Sequence, residues 1–291
     1  MDYITLNNGV QMPVLGYGVY QVEPAIAERC VADALSVGYR LIDTAQAYGN
    51  EEGVGAAIAA SGIPRDQVFV TDKVWVANAN YERAKRSIDE SLEKLGTDYI
   101  DLMLLHQAFG DYPGAYRALE EAYDAGKLRA IGVSNFYPTR LIDLATFARV
   151  KPAVDQIETH PFRQEHAAHA NMSDLGIQHE AWAPFAEGAN DIFANPVLCR
   201  IGAKYGKTAG QVALRALIQN GVVVIPKSTH KERMAENLDV FDFELDAEDR
   251  AAFATLDGGL PRIFDHTDTA TVKWLLNDFV KAQQLDGGTL Y

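Results

Sequence analysis

Tyr39-Arg40-Leu41-Ile42-Asp43, Val68-Phe69-Val70-Thr71-Asp72-Lys73 and Ile100-Asp101-Leu102-Met103-Leu104-Leu105-His106 are three apolar runs, each closed by a polar residue. From Asp43 to Lys73 is thirty residues and from Lys73 to His106 thirty-three, about one strand-helix-strand period. If the strands are parallel neighbours, Asp43, Lys73 and His106 reach one rim. Tyr48, five residues past Asp43, joins them there.

The same rhythm extends in both directions. Candidate strands fall at 14–17, 40–43, 68–73, 100–106, 130–134, 154–158, 177–182 and 222–226. Candidate helices fall between and after them, at 24–36, 51–60, 81–95, 114–124, 138–147, 164–175, 208–219 and 231–238. Several strands are apolar without alternation, as when both faces are buried. Eight strand-helix pairs in strict order predict an α/β chain folded as a (β/α)8 TIM barrel. An N-terminal β-hairpin precedes it, marked by alternation around Asn7-Asn8-Gly9. Two extra helices, at 196–205 and 247–256, interrupt the period, and a C-terminal tail runs from Gly258 to Tyr291. No linker-like segment divides the chain, so residues 1–291 are expected to form a single domain.

Bulk composition narrows the function. The chain is 48% hydrophobic and 23% charged, with a formal net charge of −14. That charge argues against nucleic acid and anionic membrane surfaces as partners. It leaves room for an anionic small ligand held by a few local cations. Cys30 and Cys199 are the two cysteines, so a disulfide framework is not expected. The stretch Met1-Asp2-Tyr3-Ile4-Thr5-Leu6 has neither a basic region nor a long apolar run, so no signal peptide is expected. No run reaches the roughly 18 apolar residues of a membrane span. A cytoplasmic monomer follows as the expectation.

Several familiar motifs fail. Gly16-Tyr17-Gly18 starts a dinucleotide fingerprint, but Gln21 ends it. Gly202-Ala203-Lys204-Tyr205-Gly206-Lys207-Thr208 approaches a phosphate-binding loop, yet it follows a helix and reads as a helix end and the next N-cap. No G-x-S-x-G elbow occurs. His160, His166, His169 and His179 lack acidic or cysteine partners at ligand spacing; solvated surface histidines are expected, and no metal.

Singly, the four rim residues have plain explanations: a cap for Asp43, a solvated strand end for Lys73, a core histidine for His106, packing for Tyr48. Together they form an acid-base device, since barrel enzymes draw catalytic groups from the C-terminal ends of several strands. A cation beside a phenol favours the phenolate and should lower its pKa from about 10. Such a tyrosine can protonate a carbonyl oxygen while a histidine donor orients that oxygen. The roles fit carbonyl reduction.

Longer strings carry a resemblance. Asp43-Thr44-Ala45-Gln46-Ala47-Tyr48-Gly49-Asn50-Glu51, Lys73-Val74-Trp75, Leu104-Leu105-His106, Gly132-Val133-Ser134-Asn135-Phe136, Gln156-Ile157-Glu158-Thr159-His160-Pro161 and Ile225-Pro226-Lys227-Ser228 occur in order. From about Gly9 to Leu256 the chain resembles the aldo-keto reductases, and among them bacterial 2,5-diketo-gluconate reductase-like members. The resemblance implies Tyr48 as general acid, Lys73 and Asp43 as its tuning pair, and His106 as the group orienting the carbonyl. It implies Ser134, Asn135 and Gln156 around the nicotinamide carboxamide, with Trp182 stacked on the ring and Asp43 near the ribose. Lys227, Ser228, Thr229 and Arg233 match positions around the adenosine 2′-phosphate, and Glu236 and Asn237 the adenine contacts. A 2′-phosphate calls for such cations at a helix start, which favours NADPH over NADH.

The chain departs from the family pattern in places. Trp182 replaces the usual tyrosine, Ala183 a serine and Phe185 a leucine, and Gln107-Ala108-Phe109-Gly110 follows His106. Tyr20, Trp75 and Phe109 fall just past strand ends and are expected to bind substrate, with Phe264 and His266 joining from the tail. Ordinary loop packing is the alternative for Trp75 and Phe109. The expected protein is an NADPH-dependent oxidoreductase reducing aldehydes and ketones. A cofactor-sensing regulator on the same barrel and a metal-dependent barrel hydrolase are the competing readings.

Overall fold

The structure, a computed structural model, describes residues 2–258, 260 and 262–280. Strands β1 (Tyr3–Thr5) and β2 (Gln11–Pro13) form the antiparallel hairpin. The chain then runs β3 (Tyr17–Gly18), α1 (Pro24–Val37), β4 (Leu41–Asp43), α2 (Glu51–Ala60), β5 (Phe69–Val74), α3 (Tyr81–Leu95), β6 (Leu102–Leu105) and α4 (Tyr112–Asp124). It continues β7 (Ile131–Ser134), α5 (Pro138–Phe147), β8 (Val154–Glu158), α6 (His166–Leu175), β9 (Gln178–Trp182), α7 (Pro196–Tyr205), α8 (Ala209–Gln219), β10 (Val223–Val224), α9 (Lys231–Leu238), α10 (Ala247–Ala254) and α11 (Thr269–Lys273).

Strands β3 to β10 pair in sequence order, each parallel to the next. A parallel bridge between Leu15 and Val224 closes the ring. Gly16 N–H donates to Val224 O at 2.8 Å, and Val224 N–H to Val14 O at 3.1 Å. The fold is therefore the (β/α)8 barrel that the sequence predicts. The first and last barrel strands are shorter than expected. A Cβ at Gly16 would fall 2.1 Å from Leu41 Cδ2, so the backbone there passes tightly over the core. Pro226 has no N–H to extend β10.

Strand parity divides the core. Leu41, Phe69, Leu102, Leu104, Val154, Val223 and Ile225 cluster together, joined by Leu6 and Met12 from the hairpin segment. Ile42, Val70, Met103, Leu105, Val133, Ile157 and Ala181 belong to a second cluster with helix residues. This is the period-two alternation of strands buried on both faces. The hairpin is fastened by Asn7 Nδ2, which donates to Pro152 O at 2.8 Å, and by Asn8 Nδ2, which donates to Arg129 O at 2.9 Å.

Local chemistry sets the helix ends. Thr208 and Gln211 form a reciprocal capping box on α8, and Gly206 ends α7 at φ 67°, so the phosphate-loop look-alike is a helix C-terminus followed by an N-cap. Helix α4 starts at Tyr112, earlier than expected, because Asp111 accepts from Gly114 N–H at 2.9 Å. Helix α6 starts later, at His166, because Gln164 is tied to Pro161 O and Phe253 O and Glu165 is left-handed. Among the described residues, no helix is long and apolar enough to cross a membrane.

The described part of the tail crosses the loops that follow β5, β6 and β8. Leu275 and Val280 pack with Trp75, Val76 and Ala79, with Phe109 and Phe264 alongside. Ile263 N–H donates to the Glu158 carboxylate at 3.0 Å, and the His266 ring shares a hydrogen bond of 2.8 Å with Gln107. Residues 281–291 of the predicted tail lie outside the described residues.

Candidate active site

The parity that places Leu41, Phe69 and Val154 together places Asp43, Lys73 and Gln156 two or four residues further along the same faces. Lys73 and Asp43 are 0% and 2% exposed, and the Lys73 ammonium lies 2.5 Å from Asp43 Oδ1 and 2.8 Å from Thr44 O. Burial opposes the charge on Lys73, but the carboxylate of Asp43 and the Tyr48 hydroxyl outweigh it, and its pKa is raised. For Asp43, burial pushes upward while the Lys73 charge and a hydrogen bond from Gln156 pull back down.

Tyr48 is carried by a short helical turn, Gln46–Tyr48, that Gly49 ends at φ 65°. Gln46 clamps this turn to neighbouring elements: its Nε2 donates to Ser87 O and Ser91 Oγ, and its Oε1 accepts from Trp75 N–H and Asn78 Nδ2. The Lys73 ammonium lies 5.2 Å from the centroid of the Tyr48 ring. His106 meets that ring edge-on at 5.7 Å, and Tyr20 tilts against it at 5.1 Å.

The Tyr48 phenol is pushed up to about 12, not down. Burial is the largest cause, Lys73 lowers it, and Asp43 raises it again. The expectation that the cation alone would make this phenol acidic is corrected: Lys73 faces an anion at 2.5 Å, so its field at the hydroxyl is partly cancelled. His106 is held well below the usual histidine range by burial and by the charges of Lys73 and His266. It is a neutral ring able to donate or accept, with Nδ1 buried and, among the described residues, unbonded.

Beside this group runs a chain of amides. Ser134 Oγ donates to Gln156 O at 2.8 Å, and Asn135 Nδ2 donates to Ser134 Oγ at 3.1 Å and to His106 O at 3.0 Å. Trp182 Nε1 donates to Asn135 Oδ1 at 3.0 Å. Asn135 takes a left-handed φ of 64°, which asparagine tolerates better than most residues. Gln156 Nε2 donates to Asp43 Oδ2 at 2.8 Å and to Glu180 Oε2 at 2.9 Å. Asp43, Lys73, Ser134, Asn135, Gln156 and Trp182 are thus brought into one bonded network.

The second predicted group follows β10. Tyr17 donates its hydroxyl to Ser228 O at 2.6 Å, fixing this loop against the first barrel strand. Helix α9 begins at Lys231 with no side-chain cap from His230, which leaves its first N–H groups open to a ligand. Lys227 and Arg233 are exposed, and among the described residues neither enters an ion pair. Pairing of Arg233 with Glu232 or Glu236 is therefore not seen, and Glu236 instead accepts from Thr208 Oγ1 at 2.8 Å. Thr229 is partly buried, and Asn237 is buried at the inner face of α9.

Among the expected substrate contacts, Tyr20 is 52% exposed beside Tyr48. Trp75 is buried, edge-on to His106 at 5.1 Å, and packs into the tail cluster. Phe109 stacks on His266 at 6.1 Å. Trp75 and Phe109 thus pack as loop residues in one cluster with the tail, and Trp75 also borders His106.

Two sequence readings need correction or addition. His160 and His179 are buried, not solvated. Thr159 Oγ1 lies 2.8 Å from His179 Nε2 and Glu158 Oε1 3.2 Å from His160 Nε2, so each ring has a polar partner that permits burial. Among the described residues, no group of three His, Cys, Asp or Glu is arranged to hold a metal ion. Glu180 escaped notice entirely. Its signal was available: an acid inside a candidate strand, two residues before Trp182 and so on the same strand face.

The sequence pattern of the Aldo/keto reductase family matches residues 14–257. The chain belongs to the aldo/keto reductase family. Glyoxal reductase of Bacillus subtilis (strain 168) is 46% identical over 250 residues, covering 85% of this chain and 90% of that protein. Among solved structures, a Bombyx mori aldo-keto reductase in complex with NADP superposes with a TM-score of 0.85 at 34% identity, covering 92% and 96% of the two chains. A structure assigned as a 2,5-diketo-D-gluconic acid reductase B gives a TM-score of 0.85 at 39% identity, covering 90% and 93%.

Proposed function

We propose that this aldo/keto reductase reduces small aldehydes and ketones, α-dicarbonyls among them, with NADPH. The convergence of Tyr48, Lys73, Asp43 and His106 at one end of the barrel carries this reading.

The residues present suit the dinucleotide. Lys227, Arg233 and the uncapped start of α9 offer cations and free N–H groups for a 2′-phosphate, with Ser228 and Thr229 in the same loop. Ser134, Asn135 and Gln156 would hold the carboxamide and Trp182 would lie against the ring, with Glu236 and Asn237 toward the adenine. When bound, the cofactor supplies the hydride. Everything else falls to the chain.

His106, neutral and close to Tyr48, donates to the carbonyl oxygen and orients it. Tyr48 delivers the proton to that oxygen as negative charge develops. A phenol near 12 remains a stronger acid than the alcohol formed when it protonates the alkoxide, and it is fully protonated at neutral pH, which favours reduction. Lys73 stabilises the phenolate left behind, and Asp43 keeps Lys73 charged and in place. Tyr20, Trp75 and Phe109 give the substrate an aromatic wall. The supporting analogy for substrate size is glyoxal reductase, whose named substrate is a small dicarbonyl. In this reading the chain is one catalytic domain, a monomer working in the cytoplasm.

The deciding experiment follows the loss of NADPH absorbance with a panel of aldehydes, α-dicarbonyls and keto-sugars. Turnover with small carbonyls that is abolished in Tyr48→Phe supports the assignment. Tight NADPH binding without turnover of any member would favour a cofactor sensor instead.

A further inference from the structure

Gln156 and Glu180 face each other in register across β8 and β9, on the side of the strands that carries Trp182. Glu180 is 0% exposed. Its Oε2 accepts from Gln156 Nε2, and its Oε1 is buried without a partner among the described residues. The other Nε2 hydrogen of Gln156 goes to Asp43 Oδ2, whose carboxylate is tied to Lys73. An ionised carboxylate only accepts, so the amide cannot turn its oxygen toward Asp43 without repulsion. Two acceptors on opposite strands therefore fix which way the amide faces.

We infer that Glu180 is a positioning residue: with Asp43 it engages both N–H bonds of Gln156, so that Oε1 is the atom Gln156 offers to a ligand. This rests on the reductase reading and deepens it. The ligand group that such an oxygen selects is an N–H donor, and the carboxamide of a nicotinamide ring is one. Asn135 is less suited to that task, because its Nδ2 donates to Ser134 and His106 and its Oδ1 already accepts from the Trp182 indole. Gln156 is left to read the amide, and Glu180 sets its orientation from beneath.

The charge balance agrees. Burial and the nearby Asp43 carboxylate push Glu180 up to about 8, with the hydrogen bond from Gln156 and the Lys73 charge opposing. Near neutral pH it keeps its proton. Around Gln156 the Lys73 cation then faces the Asp43 anion, and Glu180 adds no second negative charge. Tyr48, His106 and Asp72 are further titratable groups that feel the Lys73 charge.

The test is a cycle of variant against ligand. The probes are NADP⁺ and its 3-acetylpyridine analogue, in which a methyl group replaces the carboxamide nitrogen. Dissociation constants are measured by titration calorimetry. The wild type is expected to prefer NADP⁺ by roughly five- to tenfold, the size of one hydrogen bond. Glu180→Met, similar in volume but without an acceptor, should bring that preference close to onefold. Glu180→Gln, which keeps an acceptor oxygen, should preserve it. Should Glu180→Met fail to fold, Glu180→Asp, one methylene too short to reach Nε2, reads the same loss. Undiminished preference in Glu180→Met or Glu180→Asp overturns the inference while leaving the reductase reading intact. Failure of the wild type to bind NADP⁺ at all overturns both, and the two results cannot be confused. A merely structural role for Glu180 would weaken both ligands equally.

Discussion

Lys73 and Asp43 form an ion pair buried inside the barrel, Nζ to Oδ1 at 2.5 Å, with side chains 0% and 2% exposed. A buried charge that loses its partner is costly. Lys73→Met should destabilise the fold by about 3–5 kcal/mol, because Asp43 is left charged and unpaired. The double variant Lys73→Met with Asp43→Asn should recover a large part of that loss. Urea unfolding of the four proteins checks this; strict additivity of the two single effects would contradict it.

Tyr48→Phe removes one oxygen and leaves the ring contacts with Tyr20 and His106 in place. The expected result is a fall in kcat of roughly 10²–10⁴, the usual contribution of a general acid. NADPH affinity, read by fluorescence titration, should change by less than about twofold. Comparable loss of cofactor binding would mean that Tyr48 serves the site structurally.

The high Tyr48 pKa makes the two directions of catalysis respond differently to pH. Reduction uses the protonated phenol, and with a value of about 12 this form is complete throughout the neutral range. Alcohol oxidation with NADP⁺ needs the phenolate, whose fraction rises tenfold per pH unit below the pKa. Between pH 7 and 9, oxidation should climb with a slope near one on a log scale, while reduction stays flat as far as Tyr48 is concerned. Parallel pH profiles for the two directions would be inconsistent with this phenol as the shared acid and base.

The barrel was legible because its strands announce themselves. Runs such as 68–73 and 100–106 are mainly apolar without strict alternation, and each closes on a polar residue. Asp43, Lys73 and His106 could be placed from that ending alone, while Gln156, inside its strand, came from the family resemblance. Electrostatics was not legible to the same degree. A sequence shows that a lysine neighbours a tyrosine; it does not show that burial outweighs the lysine at Tyr48. His160 and His179 were misplaced for a related reason, since a hydroxyl or a carboxylate two to twenty residues away decides whether an imidazole is buried. Glu180 was hidden by its surroundings. An acid that follows Gln178 and His179 looks like one more polar strand residue until its register opposite Gln156 is known.

Glu180 also makes stability depend on pH in a definite direction. Its pKa in the folded chain is raised to about 8 from an ordinary 4.5. Between those values the unfolded chain releases the proton and the folded chain keeps it. Its stabilising contribution is complete below about pH 4.5 and is lost as pH rises through about 8, at a rate of at most about 1.4 kcal/mol per pH unit. Glu180→Gln is neutral at every pH and escapes this loss. The difference in Tm, variant minus wild type, should therefore increase by several degrees from pH 5 to pH 9. A constant or decreasing difference would show that Glu180 ionises normally in the folded state.

Selectivity for the phosphorylated dinucleotide can be tested at the other end of the site. Lys227 and Arg233 are exposed and, among the described residues, outside any ion pair, so their removal should disturb the fold little. A 2′-phosphate gains charge-assisted hydrogen bonds from such groups, whereas a 2′-hydroxyl gains almost nothing. Lys227→Ala combined with Arg233→Ala should weaken NADPH by roughly 10²-fold or more, at about 1.5–3 kcal/mol per contact. NADH should weaken by less than about threefold. Raising the salt concentration should shrink the NADPH preference of the wild type, because both cations face solvent and are screened there. Equal losses for the two cofactors, or a preference indifferent to salt, would place the phosphate somewhere other than the start of α9.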